Sequence, residues 1–346
     1  MTAFRLLEWQ SGGRFAEVPV PTPGAGEILV RTEAVGLCHS DLLLQDAPAG
    51  AWPFEPPFTL GHEVAGRVAA LGPSVNAGVT ELAEGDPVLL SCVHSCGRCA
   101  RCIRGQENYC ALSLRFTTRG VGLDGGLAEF VVAPAREAVR LDTLTPGRAA
   151  VLSDAGATAY HAVRTSLPKL PPGSTALVIG VGGLGGFAVQ YLRALAQADV
   201  IAVDTQAHRR SYATSLGAQH AVPSDEHTAA HIQRITDGQG AAAVFDFVGS
   251  DSTLALALAS AAPVGRITVC GAAGGQVAAG WGRLPGGCEL VVSYGHTLAD
   301  LRDVVALAER GTLRIETEEF GFDQVPDAYR ALRGGRLTSR ALIQMA

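Results

Sequence analysis

The stretch from Ser174 to Asp204 constrains the fold more tightly than any other part of this 346-residue chain. Ala176 to Ile179 is an unbroken apolar run, the pattern of a strand buried on both faces. Gly180-x-Gly182-Gly183-Leu184-Gly185 follows at once and leads into a helix through Gly186 and Gln190. A second strand from Asp199 to Val203 ends at Asp204, 24 residues after Gly180. A glycine triplet alone says little. Between a strand and a helix, with an acidic residue closing the next strand, it marks a dinucleotide site. The glycines let the backbone approach a pyrophosphate at the helix N-terminus, and Asp204 can accept from both ribose hydroxyls of NAD. A 2′-phosphate there would meet like charge, so NAD is expected over NADP; Arg209 and Arg210, which could accommodate that phosphate, lie inside the next helix and are expected to be secondary. Helices over 206–216, 226–236 and 253–262 then alternate with strands over 219–222, 242–248, 266–270 and 290–294. The pattern predicts an α/β chain with a doubly wound parallel-sheet (Rossmann) domain.

The first 150 residues read differently. Short apolar runs separated by turn signals such as Pro21 to Gly24 predict strands over 3–8, 16–20, 27–35, 63–71, 87–91 and 126–133. Pro146 opens a helix expected to run through Asp154 and Tyr160 toward Arg164. After Tyr294 come a helix over 298–310, a strand over 312–317, a helix near 325–332 and a final strand over 339–345. A chain of this length is expected to form two domains. Its net charge of −6 and the lack of a basic stripe argue against a nucleic-acid partner and for a small molecule. The uncharged run from Leu170 to Leu192 carries two prolines, and five glycines between Gly180 and Gly186, so no membrane span is read there. Met1 to Gln10 contains Arg5, Glu8 and Trp9 and resembles no secretion signal, so a cytoplasmic protein is expected.

Cysteine usage separates two chemistries. Cys96-x-x-Cys99-x-x-Cys102, with Cys110 after seven further residues, has the spacing of a closed four-thiolate zinc site that staples a loop over 92–115. Cys38, His62 and Asp154, by contrast, are scattered. Each can ligate zinc, and three protein ligands with one open position define a catalytic metal. Glu63 follows His62 directly, Asp41 can orient a metal-bound imidazole, and the Ser40 hydroxyl can touch whatever occupies the open position. Cys92, Cys270 and Cys288 are read as small core residues. His94, His161, His208, His220, His227 and His231 have no visible partners in the sequence.

Jointly, Gly36-x-Cys38-x-Ser40-Asp41, Gly61-His62-Glu63, Glu84-Gly85-Asp86, the four-cysteine lobe, Asp154-x-x-x-Thr158 and the glycine loop before Asp204 resemble the zinc-dependent medium-chain alcohol dehydrogenases over nearly the whole chain. The resemblance implies a GroES-like, β-rich catalytic domain from residues 1–150 and 295–346, with the Rossmann NAD-binding domain from 151–294 inserted and the active site in the cleft between them. It implies a homodimer or homotetramer, one catalytic and one structural zinc per chain, and a small-molecule alcohol or ketone as substrate. In the family pattern Cys38, His62 and Asp154 hold the catalytic zinc with Glu63 near it. Ser40 bonds the alcohol oxygen, Thr158 and Leu184 flank the nicotinamide, and His39 and Arg340 reach the pyrophosphate. Many relatives carry cysteine at the position of Asp154, and an aspartate there resembles the secondary-alcohol dehydrogenases. Many also carry a histidine three residues after the hydroxyl, where this chain has Leu43, so the proton must leave by water or another group such as His39.

Leu43, Trp52, Phe54 and Tyr294 are expected to line a roomy apolar pocket for a secondary, bulky or cyclic alcohol. Polyol or primary aromatic alcohol oxidation is the alternative within the family. A zinc-free reductase of activated double bonds would lack the Cys38, His62 and Asp154 set, and an inert scaffold would have no need of intact ligands at two sites.

Overall fold

The computed structural model describes residues 1–75, 81–113 and 117–345. It divides into two compact units, Met1–Ala157 with Gly295–Ala346, and Thr158–Tyr294. The division falls inside the helix Ala155–Ser166.

In the first unit, Glu63–Leu71 pairs antiparallel with Glu27–Gly36, which pairs on its other edge with Arg340–Gln344. The C-terminal strand thereby closes a sheet begun near the N-terminus. Thr317–Gly321 extends this edge, and Pro87–Leu90 and Ala138–Arg140 extend the other. A smaller sheet joins Thr2–Leu6 to Gly13–Glu17 and Phe58–Thr59. Leu6, Val35, Leu37, Leu44, Leu60, Leu127 and Ile343, each no more than 1% exposed, form the core under both sheets. Leu37 immediately precedes Cys38, so this core is also the floor of the ligand cluster. Truncating it to alanine is expected to cost about 2–5 kcal/mol.

The second unit is a six-stranded parallel sheet among the described residues. Its spatial order is His220–Pro223, Asp199–Asp204, Thr175–Ile179, Ala241–Asp246, Ala261–Val269 and Glu289–Val292. Counted along the chain these are strands three, two, one, four, five and six. The order reverses beside the first strand, the point at which open α/β sheets bind ligands, and the loop beginning at Gly180 leaves from that strand's carboxyl end.

Three expectations need correction. Residues 146–164 do not form one helix: Pro146–Ala149 passes into a tight turn over Ala150–Leu152, and a new helix begins at Ala155. Ser153 and Asp154 occupy the break, as residues whose side chains compete with helical hydrogen bonds do. The strand expected over 312–317 lies instead at Thr317–Gly321, where it gains a partner in Arg340–Gln344. The fifth parallel strand begins at Ala261, inside the span read as helix, because the helix Asp251–Ser260 ends one residue earlier. The end of the cysteine lobe, residues 114–115, lies outside the described residues. No helix among the described residues is long and apolar enough to cross a membrane.

Candidate active site

Cys38 is the N-cap of the helix His39–Asp46. Asp41, three residues into that cap, turns back on it: Oδ2 accepts from the Cys38 N–H at 3.0 Å, while Oδ1 lies 3.1 Å from His62 Nδ1. One buried carboxylate thus closes the helix start and fixes the imidazole, leaving Nε2 to face the cluster. His62 Nε2 is 3.5 Å from Ser40 Oγ and 3.6 Å from Asp154 Oδ2, and Cys38 Sγ is 3.5 Å from the same oxygen. Asp154 is delivered by the helix break described above, and Ser153 beside it donates to the His62 carbonyl at 3.4 Å.

Glu63 and Arg340 complete the cluster from two strands that are not neighbours. The strand ending at Gly36 runs between theirs, with Gly36 opposite Glu63. A Cβ at position 36 would fall 1.8 Å from Glu63 Oε2, so only glycine lets the carboxylate fold across the middle strand. The Arg340 guanidinium donates to Glu63 and, at 3.0 Å, to Asp154 Oδ2. Arg340 is 5% and Glu63 0% exposed, and burial of either charge without the other would be costly. Arg340, assigned through the resemblance to the pyrophosphate, is thus committed to the two carboxylates.

The cluster draws protons. Burial raises the Glu63 carboxyl; Arg340 opposes this and Asp154 adds to it, with a net value of about 7. Burial disfavours a charged His62, yet Asp41, Asp154 and Cys38 together lift it well above the ordinary histidine value. A site that holds protons this way is rich in anionic donors and short of cations. The donor atoms of Cys38, His62, Glu63 and Asp154 all lie within 4.8 Å of one another. Tetrahedral zinc with ordinary bond lengths separates its S, N and O ligands by about 3.4–3.6 Å. The observed 3.5 and 3.6 Å separations meet that requirement, so the residues present fit the metal.

The four cysteines of the lobe converge in the same way, their sulfurs also within 4.8 Å of one another. Cys99 Sγ is 3.5 Å from Cys102 Sγ and 4.0 Å from Cys110 Sγ, and Cys96 to Cys102 is 3.8 Å. Zinc tetrathiolate geometry demands about 3.8 Å, whereas a disulfide demands about 2.05 Å. Backbone N–H groups of Arg98 and Cys99 point at Cys96 Sγ, at 3.5 and 3.3 Å. Backbone hydrogen bonds from the Cys102 region lower the Cys99 thiol to about 6, toward the thiolate a metal needs. Beneath the lobe lies buried Glu137. Its carboxylate holds Arg119 at 2.5 Å, His94 at 3.1 Å and the Ser95 N–H at 3.2 Å, anchoring the segment that leads into Cys96. His94 therefore does have a partner.

The chain matches the alcohol dehydrogenase GroES-like domain over residues 24–143 and the zinc-binding dehydrogenase domain over residues 183–310. It is 30% identical to an NAD-dependent alcohol dehydrogenase of Sulfolobus acidocaldarius across 100% of both chains. The chain belongs to the medium-chain alcohol dehydrogenase family. An L-threonine 3-dehydrogenase of Pyrococcus furiosus is 31% identical, over 97% of this chain and 96% of the relative. The crystal structure of an alcohol dehydrogenase from Aeropyrum pernix superposes with a TM-score of 0.91 at 30% identity, over 99% of this chain and 100% of the other.

In the dehydrogenase's second unit three glycines of the loop differ in what they require. Gly180 takes φ +85°, a left-handed turn, and a Cβ on Gly185 would sit 2.0 Å from the Gly180 carbonyl oxygen. A Cβ on Gly182 would meet nothing nearer than Arg209 Nη1 at 4.0 Å. That position is open on the side where a pyrophosphate would approach. Asp204 is 6% exposed, its carboxylate accepting from the Val181 and Gln206 N–H groups at 2.9 Å each. Arg210 is turned onto the Asp204 and Thr205 carbonyls. Thr158 is buried in the first turn of the helix Ala155–Ser166, and Leu184 is half-buried in the first turn after the loop.

Of the residues read as pocket lining, Trp52 and Phe54 stack at 5.6 Å, and Phe54 packs edge-on against Phe58, so both belong to the aromatic margin of the first unit's core. Leu43 is 44% exposed, His39 is exposed, and Tyr294 is half-buried at the end of the second unit. Sequence reasoning passed over His296 and gave Cys92 no role. Cys92 Sγ lies 3.8 Å from Asp154 Oδ1 and 3.8 Å from His296 Nδ1. No spacing rule links residues 62 and 204 positions apart, which is why neither was visible.

Proposed function

We propose that this chain is an NAD-dependent zinc alcohol dehydrogenase that interconverts a secondary, bulky or cyclic alcohol with its ketone. The observation that carries the reading is the convergence of Cys38, His62, Glu63 and Asp154 donors within 4.8 Å beside the Ser40 hydroxyl. Cys38, His62 and Asp154 would hold the catalytic zinc, with Glu63 beside it, and Cys96, Cys99, Cys102 and Cys110 a structural one. When bound, the catalytic zinc supplies Lewis acidity that makes an alcohol oxygen acidic near neutral pH, and NAD supplies the hydride acceptor.

The chain's own groups do the rest. Asp41 holds His62 in one tautomer, and Arg340 compensates the charge of Glu63 and Asp154. Ser40 Oγ takes the alcohol proton. Leu43 is an alkyl side chain and cannot carry it further, so the proton leaves through solvent or exposed His39. The Gly180–Gly185 loop and Asp204 would bind NAD. Two backbone donors keep the Asp204 carboxylate aimed, and its negative charge disfavours a 2′-phosphate. Leu43, Trp52, Phe54 and Tyr294 would contact the substrate, and a homodimer or homotetramer is the expected assembly.

The L-threonine 3-dehydrogenase relative supports a second reading, in which the substrate is a small polar secondary alcohol. One experiment separates them. NADH formation is measured against primary, secondary, cyclic and aromatic alcohols, polyols and L-threonine. The apolar reading expects cyclic or bulky secondary alcohols to give the highest kcat/KM. If ethanol or L-threonine outperforms all of them, it fails. For Ser40→Ala, kcat should fall at least ~100-fold with NAD affinity unchanged, the usual scale of a lost proton-transfer group.

A further inference from the structure

We propose that Cys92 is a positioning residue for Asp154, the last link of a buried hydrogen-bonded chain running Ser91–His296–Cys92–Asp154. The inference rests on the reading of Asp154 as a metal ligand. A thiolate ligand has one donor atom, but a carboxylate has two, and its terminal torsion is soft. An aspartate at this position therefore has a second oxygen that must be held if the first is to stay aimed. Asp154 Oδ2 faces Cys38, His62 and Arg340 at 3.5, 3.6 and 3.0 Å. Oδ1 faces Cys92 Sγ at 3.8 Å.

The direction of the chain follows from its end. An ionised carboxylate only accepts, so the Cys92 S–H donates to Asp154. The sulfur then accepts from His296 Nδ1–H at 3.8 Å, which leaves Nε2 to accept from the Ser91 hydroxyl at 3.2 Å. Ser91 Oγ is itself oriented by residue 93, whose N–H donates to it at 3.1 Å and whose carbonyl, at 3.2 Å, is a second acceptor for the Ser91 hydroxyl. Ser91, Cys92 and His296 are 3%, 7% and 0% exposed, so none of these bonds competes with bulk water. The backbone is shaped for the contact. Gly295, at φ +53°, precedes His296, and a Cβ there would lie 2.8 Å from Val93 Cγ2. Only a glycine brings the imidazole this close to residues 91–93.

Zinc(II) affinity is measured by chelator competition on the whole enzyme, and the cobalt(II)-substituted protein is examined by absorption. Cys92→Ala should weaken catalytic-site zinc binding by about 10–100-fold, the usual effect of losing a group that orients a ligand, and Cys92→Ser should recover most of that loss. In an Asp154→Cys background, where the second oxygen no longer exists, Cys92→Ala should change zinc affinity less than about threefold. Equal losses in both backgrounds would overturn the proposal, since packing alone would produce them. Loss of one cobalt–thiolate charge-transfer contribution in Cys92→Ala would also overturn it, by making Cys92 a direct ligand. Failure of the underlying reading looks different: Asp154→Asn would then leave zinc affinity at the wild-type value. If Asp154→Asn weakens binding while Cys92→Ala does not, only the positioning role falls.

Discussion

The two donor clusters of this dehydrogenase are built on opposite plans. The four cysteines lie within residues 96–110, three of them half-exposed, and their geometry is set by local turns whose N–H groups point at sulfur. The Cys38, His62, Glu63 and Asp154 cluster gathers segments up to 116 residues apart. It keeps a layer of partners around each ligand: Asp41 behind His62, Arg340 behind Glu63 and Asp154, Cys92 behind the far oxygen of Asp154. A closed shell of identical thiolates needs only to be held together. A site with a position free for substrate must have each ligand aimed separately, and the aiming residues come from the whole sheet.

The sharpest contrast should come from removing one ligand at each cluster. Cys38→Ala is expected to lower kcat at least ~10³-fold, the several kcal/mol that Lewis acidity supplies, with an apparent Tm close to wild type. Cys99→Ala should do the reverse, with a large fall in apparent Tm and substantial activity at 25 °C, because a structural metal contributes to folding. Assaying both variants for kcat and thermal midpoint would break the comparison if they behaved alike.

The third variant acts on the base of the lobe. Burial alone would raise the Glu137 carboxyl, but Arg119 and His94 hold it down to about 2 from an ordinary 4.5. Folding lowers this pKa, so ionised Glu137 contributes about 3 kcal/mol of stability above pH ~4.5. That contribution is lost as the pH falls through about 2. Chemical denaturation between pH 3 and 7 should therefore show a steep acid loss in wild type that is flattened in Glu137→Gln, which is less stable at neutral pH. Equal slopes would show that Glu137 does not carry the acid loss.

Asp204→Ser should leave both metal contents intact and move cofactor preference toward NADP by roughly 1–3 kcal/mol, read as the ratio of kcat/KM values. A wild type that already prefers NADP would show that Arg209 outweighs the carboxylate. The smallest effect is expected from Leu43→His, a changed pH profile of kcat with no change in metal content.

Legibility in the sequence followed the same division. The cysteine lobe, the glycine loop and Asp204 could be read because their partners are close along the chain and their spacings encode geometry. Cys38, His62 and Asp154 could be paired only through the family pattern, since no local spacing brings residue 38 to residue 154. Arg340 was legible as a charge near a C-terminus but not as the counterion of Glu63, because that pairing depends on strand order and on Gly36 leaving room across the middle strand. The helix break at Ser153 and Asp154 was missed because the small residues around it, Ala149, Ala150, Ala155 and Gly156, suit a continuous helix in composition. His94 seemed partnerless for the reason Cys92 seemed inert: Glu137 and His296 reach them only in the folded sheet.

We propose that the two clusters hold two zinc ions of different kinds, one catalytic and one structural. Elemental analysis of fully active enzyme, repeated with activity and apparent Tm during graded removal by a chelator, tests it directly. Two zinc per chain are expected, a first that leaves together with activity while Tm changes little, and a second whose loss collapses Tm. A single zinc per chain in fully active enzyme would contradict it.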